Sequence, residues 1–424
     1  MSHADGPSEL FEVGAHGDVS LSRVRVDVSI FCSTPLAHLG KCATKQRQAS
    51  TDGGDHSEVN PPSSTSGQEV STSPTSEKKE ESADTCSTGL RVYDGAMVLA
   101  EFFASKIFSQ SQLFQQFVNN FDSTTSPVAP SSSDLRHFVA LELGCGCGLA
   151  GLTLWHVLSQ EKHIIKQQHD GKNKNDVPPL VVLTDASKPC LEFVHRNYDA
   201  LKTSTARLDD SVDTNADLDI RVLDWEQPAS FFSEGSEDAG KFWAAAAAVN
   251  AASPQQHLGE SNARRRGGAD IVFGSDLVYF NASPFSLFNV AEKMMRYDGN
   301  NDEHDEAQQP VVATSLVFPP VLVLCHHCRI ANGVAILNRA ASAAGLTLFS
   351  LSLASFLPET EISSRCRGGM HFLIGCRTHD AAKVQRELFS ESAAGQGVVL
   401  NVFCEGEVDD TAAAMMMCGL GDDE

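Results

Sequence analysis

The N-terminal part of the chain has two contrasting patterns of polar and apolar residues. Over residues 19–31 (VSLSRVRVDVSIF) apolar and polar side chains alternate, which is typical of a strand or hairpin with one buried face. Residues 43–87 are rich in Ser, Thr, Gly, Glu and Lys and poor in apolar side chains. Such a segment cannot bury enough apolar surface to offset its ordering entropy, so we predict that it is a disordered insert. Residues 1–42 are then an N-terminal extension that carries a β-hairpin at 19–31.

From residue 88 onward, short apolar runs alternate with segments of helical pattern. The predicted strands cover residues 138–143, 180–184, 220–223, 271–274, 321–325, 346–351 and 372–376. The predicted helices cover residues 94–108, with Asp94 as N-cap, 149–160, 188–201, 284–297 and 330–344. Continuous Val, Ile and Leu runs separated by helices predict an α/β fold whose mostly parallel sheet is covered on both faces.

Three polar stretches interrupt this alternation, at residues 161–179, 228–268 and 298–309. Each falls where a surface loop is expected, and a longer loop adds little closure entropy. We therefore predict one α/β domain over residues 88–378 with expanded loops. Residues 379–424 are predicted to be a C-terminal extension with an acidic tail.

Net charge, cysteine content and the lengths of apolar runs limit the partners and the cellular location that we expect for this protein. With a formal net charge of −23 the chain offers no basic stripe for phosphates, so we expect no nucleic-acid partner. The acidity fits either steering of a basic partner or solubility alone. Twelve cysteines at irregular spacings, several in apolar runs, favour reduced thiols inside the cell. No signal peptide and no long apolar segment is found, so we expect a cytoplasmic monomer without membrane contact, with a nuclear location also open.

Candidate chemistry lies where the predicted strands end, because an open parallel sheet binds ligands beyond the carboxyl ends of its strands. Glycines follow the first strand, and Asp185, Trp225 and the pair Ser275-Asp276 end the next three. A glycine turn lets the backbone approach a ligand, an acid after the second strand is the usual partner of ribose hydroxyls, and an indole offers a flat face to adenine. Each also has a purely structural interpretation: a tight turn, a helix N-cap for Asp185, and a core position for Trp225.

The stretch LELGCGCGLAGL, residues 141–152, contains two overlapping glycine motifs. Gly144, Gly146 and Gly148 form GxGxG, whereas Gly146, Gly148 and Gly151 form GxGxxG. The second motif is the fingerprint of a dinucleotide-binding turn, so an NAD-type oxidoreductase is an alternative function. The spacing to Asp185 does not choose between them, because the polar insertion at 161–179 lengthens it. The dinucleotide interpretation, however, leaves Trp225 without a role.

Five segments together resemble the S-adenosylmethionine-dependent methyltransferases with a seven-stranded, Rossmann-like fold, and more narrowly the protein lysine methyltransferases of family 16. They are GLRVYDGAMVLAEFF (89–103), LELGCGCGLAGL (141–152), LTDAS (183–187), VLDWE (222–226) and DIVFGSDLVYF (270–280). SDLVY, similar to the family's D-x-x-Y motif, is the most specific. The resemblance implies seven strands with the last antiparallel, S-adenosyl-L-methionine as cofactor, and a lysine of a protein substrate as methyl acceptor.

The resemblance also implies roles for individual residues. Its cofactor-binding positions are Gly144, Cys145, Gly146, Asp185 for ribose, Trp225 for adenine, Ser275 where the family usually has Ala, and Tyr93 where it has Trp. Its catalytic positions are Asp276, which would hold and orient the acceptor ammonium, and Tyr279, which would form one wall of the acceptor site.

Two further alternatives follow from the sequence. The substitution at Tyr93 and the long insertions leave room for a non-catalytic interaction module that keeps the methyltransferase fold. The run Cys325-His326-His327-Cys328 has the residue types of a zinc site. A structural zinc normally takes four ligands in paired knuckles, and the chain has no second C-x-x-C, so we predict no metal.

Overall fold

The structure is a computed structural model of the 424-residue chain. It describes residues 8–13, 23–31, 88–121, 138–168, 178–208, 216–228, 268–278, 282–296, 318–328, 333–366, 369–389, 398 and 400–403. The predicted disordered insert at 43–87 and the acidic end of the chain lie outside the described residues.

A mixed sheet forms the centre of the fold. Its strands are β3 (Val139–Glu142), β4 (Leu180–Asp185), β5 (Asp217–Val222), β6 (Ile271–Ser275), β7 (Val321–His327), β8 (Leu346–Leu351), β9 (Met370–Arg377) and β10 (Asn401–Val402). Their order is β10-β8-β9-β7-β6-β3-β4-β5, with β3 to β7 mutually parallel and β9 antiparallel to both of its neighbours. The predicted α/β class with a mostly parallel sheet is confirmed.

The sheet has eight strands where seven were expected. All seven predicted strands are present, and the eighth, β10, pairs antiparallel with β8 through two residues. A two-residue strand has no hydrophobic periodicity, so no pattern in the sequence indicates it.

Helices cover both faces of the sheet. They are α1 (Asp94–Ala104), α2 (Lys106–Gln110), α3 (Gln112–Phe121), α4 (Leu149–Gln168), α5 (Lys188–Leu208), α6 (Pro284–Met294), α7 (Gly333–Ala343), α8 (Glu359–Arg365) and α9 (Ala381–Glu387). Alternate strand residues point to opposite faces: Phe273 packs with the core that contains α1, α4 and α5, and Val272 with the core that contains α6 and α7. Because β3, β4 and β7 are covered on both faces, they are buried along nearly their whole length and begin as continuous apolar runs, with polar residues only at their carboxyl ends.

The first helix differs from its predicted bounds. Tyr93 is the N-cap and Asp94 is the first helical residue, so the predicted cap was misplaced by one position. The helix ends at Ala104, because Ser105 adopts an extended backbone and its hydroxyl accepts the Phe108 N–H at 3.2 Å. A serine that bonds to the backbone in this way competes with helix continuation, and residues 106–110 form a separate short helix.

The N-terminal hairpin is wider than predicted. Its strands β1 (Ser8–Val13) and β2 (Val26–Phe31) pair antiparallel, so the hairpin spans residues 8–31 instead of lying within 19–31. The pattern of β1 was obscured because Leu10 and Phe11 are adjacent apolar residues, although Leu10 is 61 % exposed and only Phe11 is buried. The inner face of β2 packs on α4 and α5.

Arg23 fastens the hairpin to the helical layer. Its guanidinium donates to Glu161 of α4 and lies over the ring of Phe114, 5.0 Å from the centroid. Its backbone N–H donates to the Ala104 carbonyl at 3.0 Å. Among the described residues, no helix combines the length and the apolar character needed to cross a bilayer.

Candidate functional site

A cavity of about 300 Å³ opens at the carboxyl ends of β3, β4 and β6. The strand order reverses at β3, whose neighbours are β4 and β6, and a ligand site is expected at such a reversal. Eight of the nine predicted site residues line this cavity: Tyr93, Gly144, Cys145, Gly146, Asp185, Trp225, Ser275 and Asp276. The ninth, Tyr279, lies outside the described residues.

The glycine loop between β3 and α4 needs glycine at its first two positions. Gly144 and Gly146 have φ of 59° and 53°, in the left-handed region that favours glycine. A β-carbon on Gly144 would lie 2.7 Å from Leu277 Cδ2 and 2.9 Å from the Trp225 ring, and one on Gly146 would lie 2.8 Å from the Gly89 carbonyl oxygen. These glycines form the wall of the cavity and leave its backbone exposed to a ligand.

Gly151, the last glycine of the alternative motif, has a different task. It lies inside α4, where a β-carbon would overlap the side chains of Leu183 and Glu142. Its N–H donates to Glu142 Oε2 at 3.1 Å, and burial raises the pKa of that carboxyl well above its usual range. Gly151 therefore permits close packing of helix on sheet and is not part of the cavity wall.

Asp185 lies at the end of β4 with both carboxylate oxygens bonded to backbone. Oδ2 accepts the Gly146 N–H at 3.0 Å, and Oδ1 accepts the Ser187 N–H at 2.8 Å. Burial raises the pKa of this carboxyl, and hydrogen bonds from Ser187, Gly146 and Ala186 oppose the rise. Asp185 is not the N-cap of α5, because the helix begins only at Lys188. It forms the turn between β4 and the helix and lines the cavity. A carboxylate has about four acceptor sites, so these three bonds leave acceptor capacity for a ligand hydroxyl.

Trp225 is half-buried and contributes to both a core and the cavity. Its indole lies against Gly144 on one side and packs with the core that contains α6. The next residue, Glu226, accepts the Ser283 N–H at 2.9 Å and the Ser286 hydroxyl at 3.0 Å. The segment after β5 is thereby tied to the first turn of α6, which holds Trp225 in place.

Asp276 connects three elements at the far side of the cavity. Its Oδ2 accepts the Gly95 N–H at 3.1 Å and its Oδ1 accepts the His327 N–H at 3.0 Å, so it links the end of β6 to the start of α1 and the end of β7. Its φ of 50° makes it the one residue other than glycine with a left-handed backbone in the described part of the chain. Backbone strain of this kind concentrates at functional sites.

The sequence did not identify several residues that build the cavity wall. Gly89 and Arg91 line the cavity from the segment before α1. In this segment the family resemblance assigned a cofactor-binding role to Tyr93 alone. Asn197 is fully buried, and its amide donates to the Cys147 carbonyl at 2.8 Å, which steadies the glycine loop from α5. No sequence signal indicates Asn197, because it is 50 residues away from its partner.

Cys145, in the cavity wall, is not poised as a nucleophile. Burial raises the pKa of Cys145 well above its usual range, and nearby Asp185 and Glu142 raise it further. Because the thiolate is the reactive form, Cys145 is an inert part of the wall.

The run Cys325 to Cys328 does not converge on one point. Cys325 is buried, with its thiol 3.4 Å from Met370 Sδ, whereas Cys328 packs beside the core on the opposite face. Within the described ranges, no three His, Cys, Asp or Glu side chains are grouped as metal ligands would be.

The charge of the cavity wall is predominantly negative. Four acidic residues line it, namely Asp185, Asp224, Glu226 and Asp276, and Arg91 is the one basic residue among the described lining. Such a wall favours a ligand with net positive charge. S-adenosylmethionine fits this cavity: the glycine cradle admits a close ligand, Asp185 offers acceptors for ribose hydroxyls, and Trp225 offers an aromatic face.

Part of the chain matches the model of a known protein family. Residues 74–239 match the family model for the family 16 lysine methyltransferases, which confirms the resemblance inferred from the sequence and S-adenosylmethionine as the cofactor. Among solved structures, the chain is similar to a proposed methyltransferase from Thermoplasma acidophilum, with 10 % identity, 57 % of this chain and 69 % of that chain covered, and a TM-score of 0.23. It is also similar to an O-methyltransferase from Bacillus cereus in complex with S-adenosylhomocysteine, with 10 % identity, 63 % and 90 % coverage, and a TM-score of 0.27. No curated protein matches the chain.

Proposed function

We propose that this S-adenosylmethionine-dependent methyltransferase, whose residues 74–239 match the lysine methyltransferase family, methylates a lysine side chain of a protein substrate. The family match is the observation that carries the proposal. The family match also favours a methyltransferase over the dinucleotide oxidoreductase. Gly151 does not distinguish the two, because close packing of helix on sheet is also the task of the third glycine in a dinucleotide motif.

The charges around the cavity support a basic acceptor. Asp224, Glu226 and Asp276 lie along its wall, on the segments that follow β5 and β6. An incoming ammonium group is attracted by these carboxylates, and a chain with a net charge of −23 attracts a basic protein segment over a longer range. The attraction explains how a lysine would be drawn to the site.

The chemistry then depends on position and desolvation. S-adenosylmethionine supplies a methyl group that is already activated on a sulfonium, so the displacement needs the acceptor nitrogen in line and about 3 Å away. A lysine with an ordinary pKa of about 10.4 must first lose its proton. Apolar side chains such as Val92 and Leu277 in the cavity wall disfavour the charged amine by desolvation, which opposes the rise in the lysine pKa that the nearby carboxylates cause.

Asp276 is suited to orient the ammonium before its proton leaves to solvent. Its two oxygens each hold one backbone N–H, which fixes the carboxylate and leaves further lone pairs directed elsewhere. It therefore combines the orienting role inferred from the sequence with an anchoring role for α1. The wall formed by Tyr279 stays a prediction.

A transfer assay tests this function. The purified chain is incubated with S-adenosylmethionine tritiated in the methyl group and an undialysed lysate of matching cells, and labelled products are separated from small molecules and hydrolysed. We expect a discrete labelled protein whose hydrolysate contains the label as methyl-lysine. Asp276→Asn, which removes the charge proposed to orient the ammonium, should lose most of the transfer. The matched control is Arg386→Gln, an exposed arginine outside the cavity lining, which should keep the transfer.

Three other outcomes contradict the proposal. Label in methyl-histidine or methyl-arginine would replace the acceptor and keep the transferase activity. Label only in small molecules would remove the protein substrate. Cofactor binding without any transfer would favour the non-catalytic module.

A further inference from the structure

We propose that Arg91 binds the carboxylate at the amino-acid end of S-adenosylmethionine. The inference rests on the assigned cofactor and not on the identity of the methyl acceptor. It assigns a specific task to a residue that neither the sequence motifs nor the family resemblance singled out.

The position of Arg91 follows from the contacts of the segment before α1. Residues Thr88–Leu90 form a 3-10 turn that lies directly on the glycine loop. Gly89 approaches Gly146 so closely that a β-carbon on Gly146 would lie 2.8 Å from the Gly89 carbonyl, and the Cys147 thiol donates to the same carbonyl at 3.4 Å. Arg91 follows two residues later and lines the cavity beside this loop.

The glycine loop is where the amino-acid end of the cofactor is expected. Asp185 and Trp225, the predicted partners of ribose and adenine, lie at the ends of β4 and after β5. The methionine end must then extend from Asp185 across the loop of Gly144 and Gly146 toward α1. Arg91 and Tyr93 form the wall on that side, so the carboxylate reaches the part of the cavity where Arg91 stands.

Charge complementarity supports the same assignment. The cofactor carries a sulfonium, an ammonium and one carboxylate, and the four acidic residues of the wall suit its two cations. A carboxylate placed among four acidic residues needs a positive partner. Within the described lining, Arg91 supplies that charge, and a guanidinium can donate two parallel hydrogen bonds to a carboxylate.

Two ligands isolate this contact by calorimetry. S-adenosylhomocysteine contains the amino-acid end, whereas 5′-methylthioadenosine keeps the adenosine and the thioether but lacks the ammonium and the carboxylate. We expect Arg91→Gln to weaken S-adenosylhomocysteine about 10- to 100-fold, as loss of a charge-assisted hydrogen bond does, and to change methylthioadenosine less than about twofold. Arg91→Lys keeps the positive charge but cannot donate two parallel hydrogen bonds, so its affinity for S-adenosylhomocysteine should lie between those of Arg91→Gln and the unaltered protein.

The matched control is Arg386→Gln, an exposed arginine paired with its neighbour Glu387, which should leave both affinities unchanged. Thermal unfolding of each unliganded variant shows whether it is folded. Equal weakening of both ligands by Arg91→Gln would overturn the proposal, because it would indicate a structural role. Unchanged affinity for both would also overturn it and would assign the carboxylate to backbone N–H groups of the glycine loop. If the unaltered protein binds neither ligand, the cofactor assignment itself fails.

Discussion

Asp276 shows at the scale of one residue how structure and chemistry are combined in this site. Its left-handed backbone costs free energy, and two hydrogen bonds from Gly95 and His327 hold it there. A carboxylate fixed by backbone on both oxygens keeps its orientation whether or not a substrate is present. Loss of activity after substitution of Asp276 could therefore come from loss of the structural clamp or from loss of the carboxylate that orients the acceptor, and the two effects must be measured separately.

We predict that Asp276→Ala lowers the free energy of unfolding by about 2 kcal/mol or more, because it leaves two backbone N–H groups without their acceptor. Asp276→Asn should cost less, since Asn tolerates a positive φ and keeps one acceptor oxygen. Urea denaturation followed by circular dichroism measures both. Equal stability of all three proteins would show that the carboxylate does not clamp α1 to β7.

The raised pKa of Asp185 predicts that cofactor binding depends on pH. Burial raises the pKa of its carboxyl above the ordinary 3.8, so it becomes protonated at a higher pH than an exposed aspartate. Protonation removes acceptors for ribose hydroxyls, and the affinity for S-adenosylhomocysteine should fall as the pH drops through that raised pKa. Because the pKa of Asp185 is higher in the folded than in the unfolded state, the folded state binds this proton more tightly. Protonation of Asp185 therefore increases the free energy of unfolding as the pH falls through the raised pKa.

The comparison is between unaltered protein and Asp185→Asn, titrated by calorimetry between about pH 4 and 8. Asn has no titrating carboxyl, so its weaker binding should change less with pH. Identical pH profiles would assign the dependence to another group, such as Glu142, whose pKa burial also raises.

At the residue scale, the sequence predicted eight of the residues that line the cavity but not the contacts that hold them in place. Glycine, acid and indole at successive strand ends are local signals, because a parallel sheet brings strand ends together whatever the loops between them. The clamp of Asp276 on Gly95 joins residues 181 positions apart, and the bond of Glu226 to Ser283 joins residues 57 apart. Such pairs depend on packing and have no local pattern.

At the scale of elements, the start of α1 controls the cavity because it places Arg91 and Tyr93. Gly95 is the second residue of the helix, and a β-carbon there would lie 2.5 Å from Asp276 Oδ2 and 3.2 Å from the Cys325 carbonyl. The helix can approach β6 and β7 only because this position has no side chain.

We predict that Gly95→Ala weakens S-adenosylhomocysteine binding about tenfold or more, although alanine has the higher helix propensity. The added methyl group must displace either the carboxylate of Asp276 or the first turn of α1. Gly333→Ala is the matched control, since the corresponding β-carbon at the start of α7 would meet Cys328 at an ordinary 3.4 Å. Calorimetry on both variants gives the result, and equal affinities would show that the first turn of α1 does not control the cavity.

The more deeply buried an element is, the more accurately the sequence predicted it. Strands covered on both faces are apolar runs and were located within a few residues, as were α4 and α5, although each helix extends further than its apolar pattern. Short elements such as α8 and α9, with seven residues each, and β10, with two, were not predicted. Their pattern covers too few turns or residues to show a period, and tertiary packing stabilises them.

At the scale of the whole molecule, the order of strands creates the site. Because the chain leaves β3 toward β4 on one side and leaves β6 toward β7 on the other, the loops diverge and leave a cavity between them. The glycine loop, Asp185, Trp225 and Asp276 come from separate parts of the chain and meet only there. Strands β1 and β2 form an antiparallel pair on the helical layer, to which Arg23 is bonded, and none of their residues lines the cavity.

The central claim is that these strand ends form one site for S-adenosylmethionine, with the first glycine motif as its cradle. Calorimetric titration with S-adenosylhomocysteine, and separately with NAD, tests it most directly. We predict one site per chain for S-adenosylhomocysteine, no binding of NAD, and loss of the site in Gly144→Ala, where a β-carbon would meet Leu277 and Trp225. Binding of NAD in place of S-adenosylhomocysteine, or undiminished binding by Gly144→Ala, would contradict the claim.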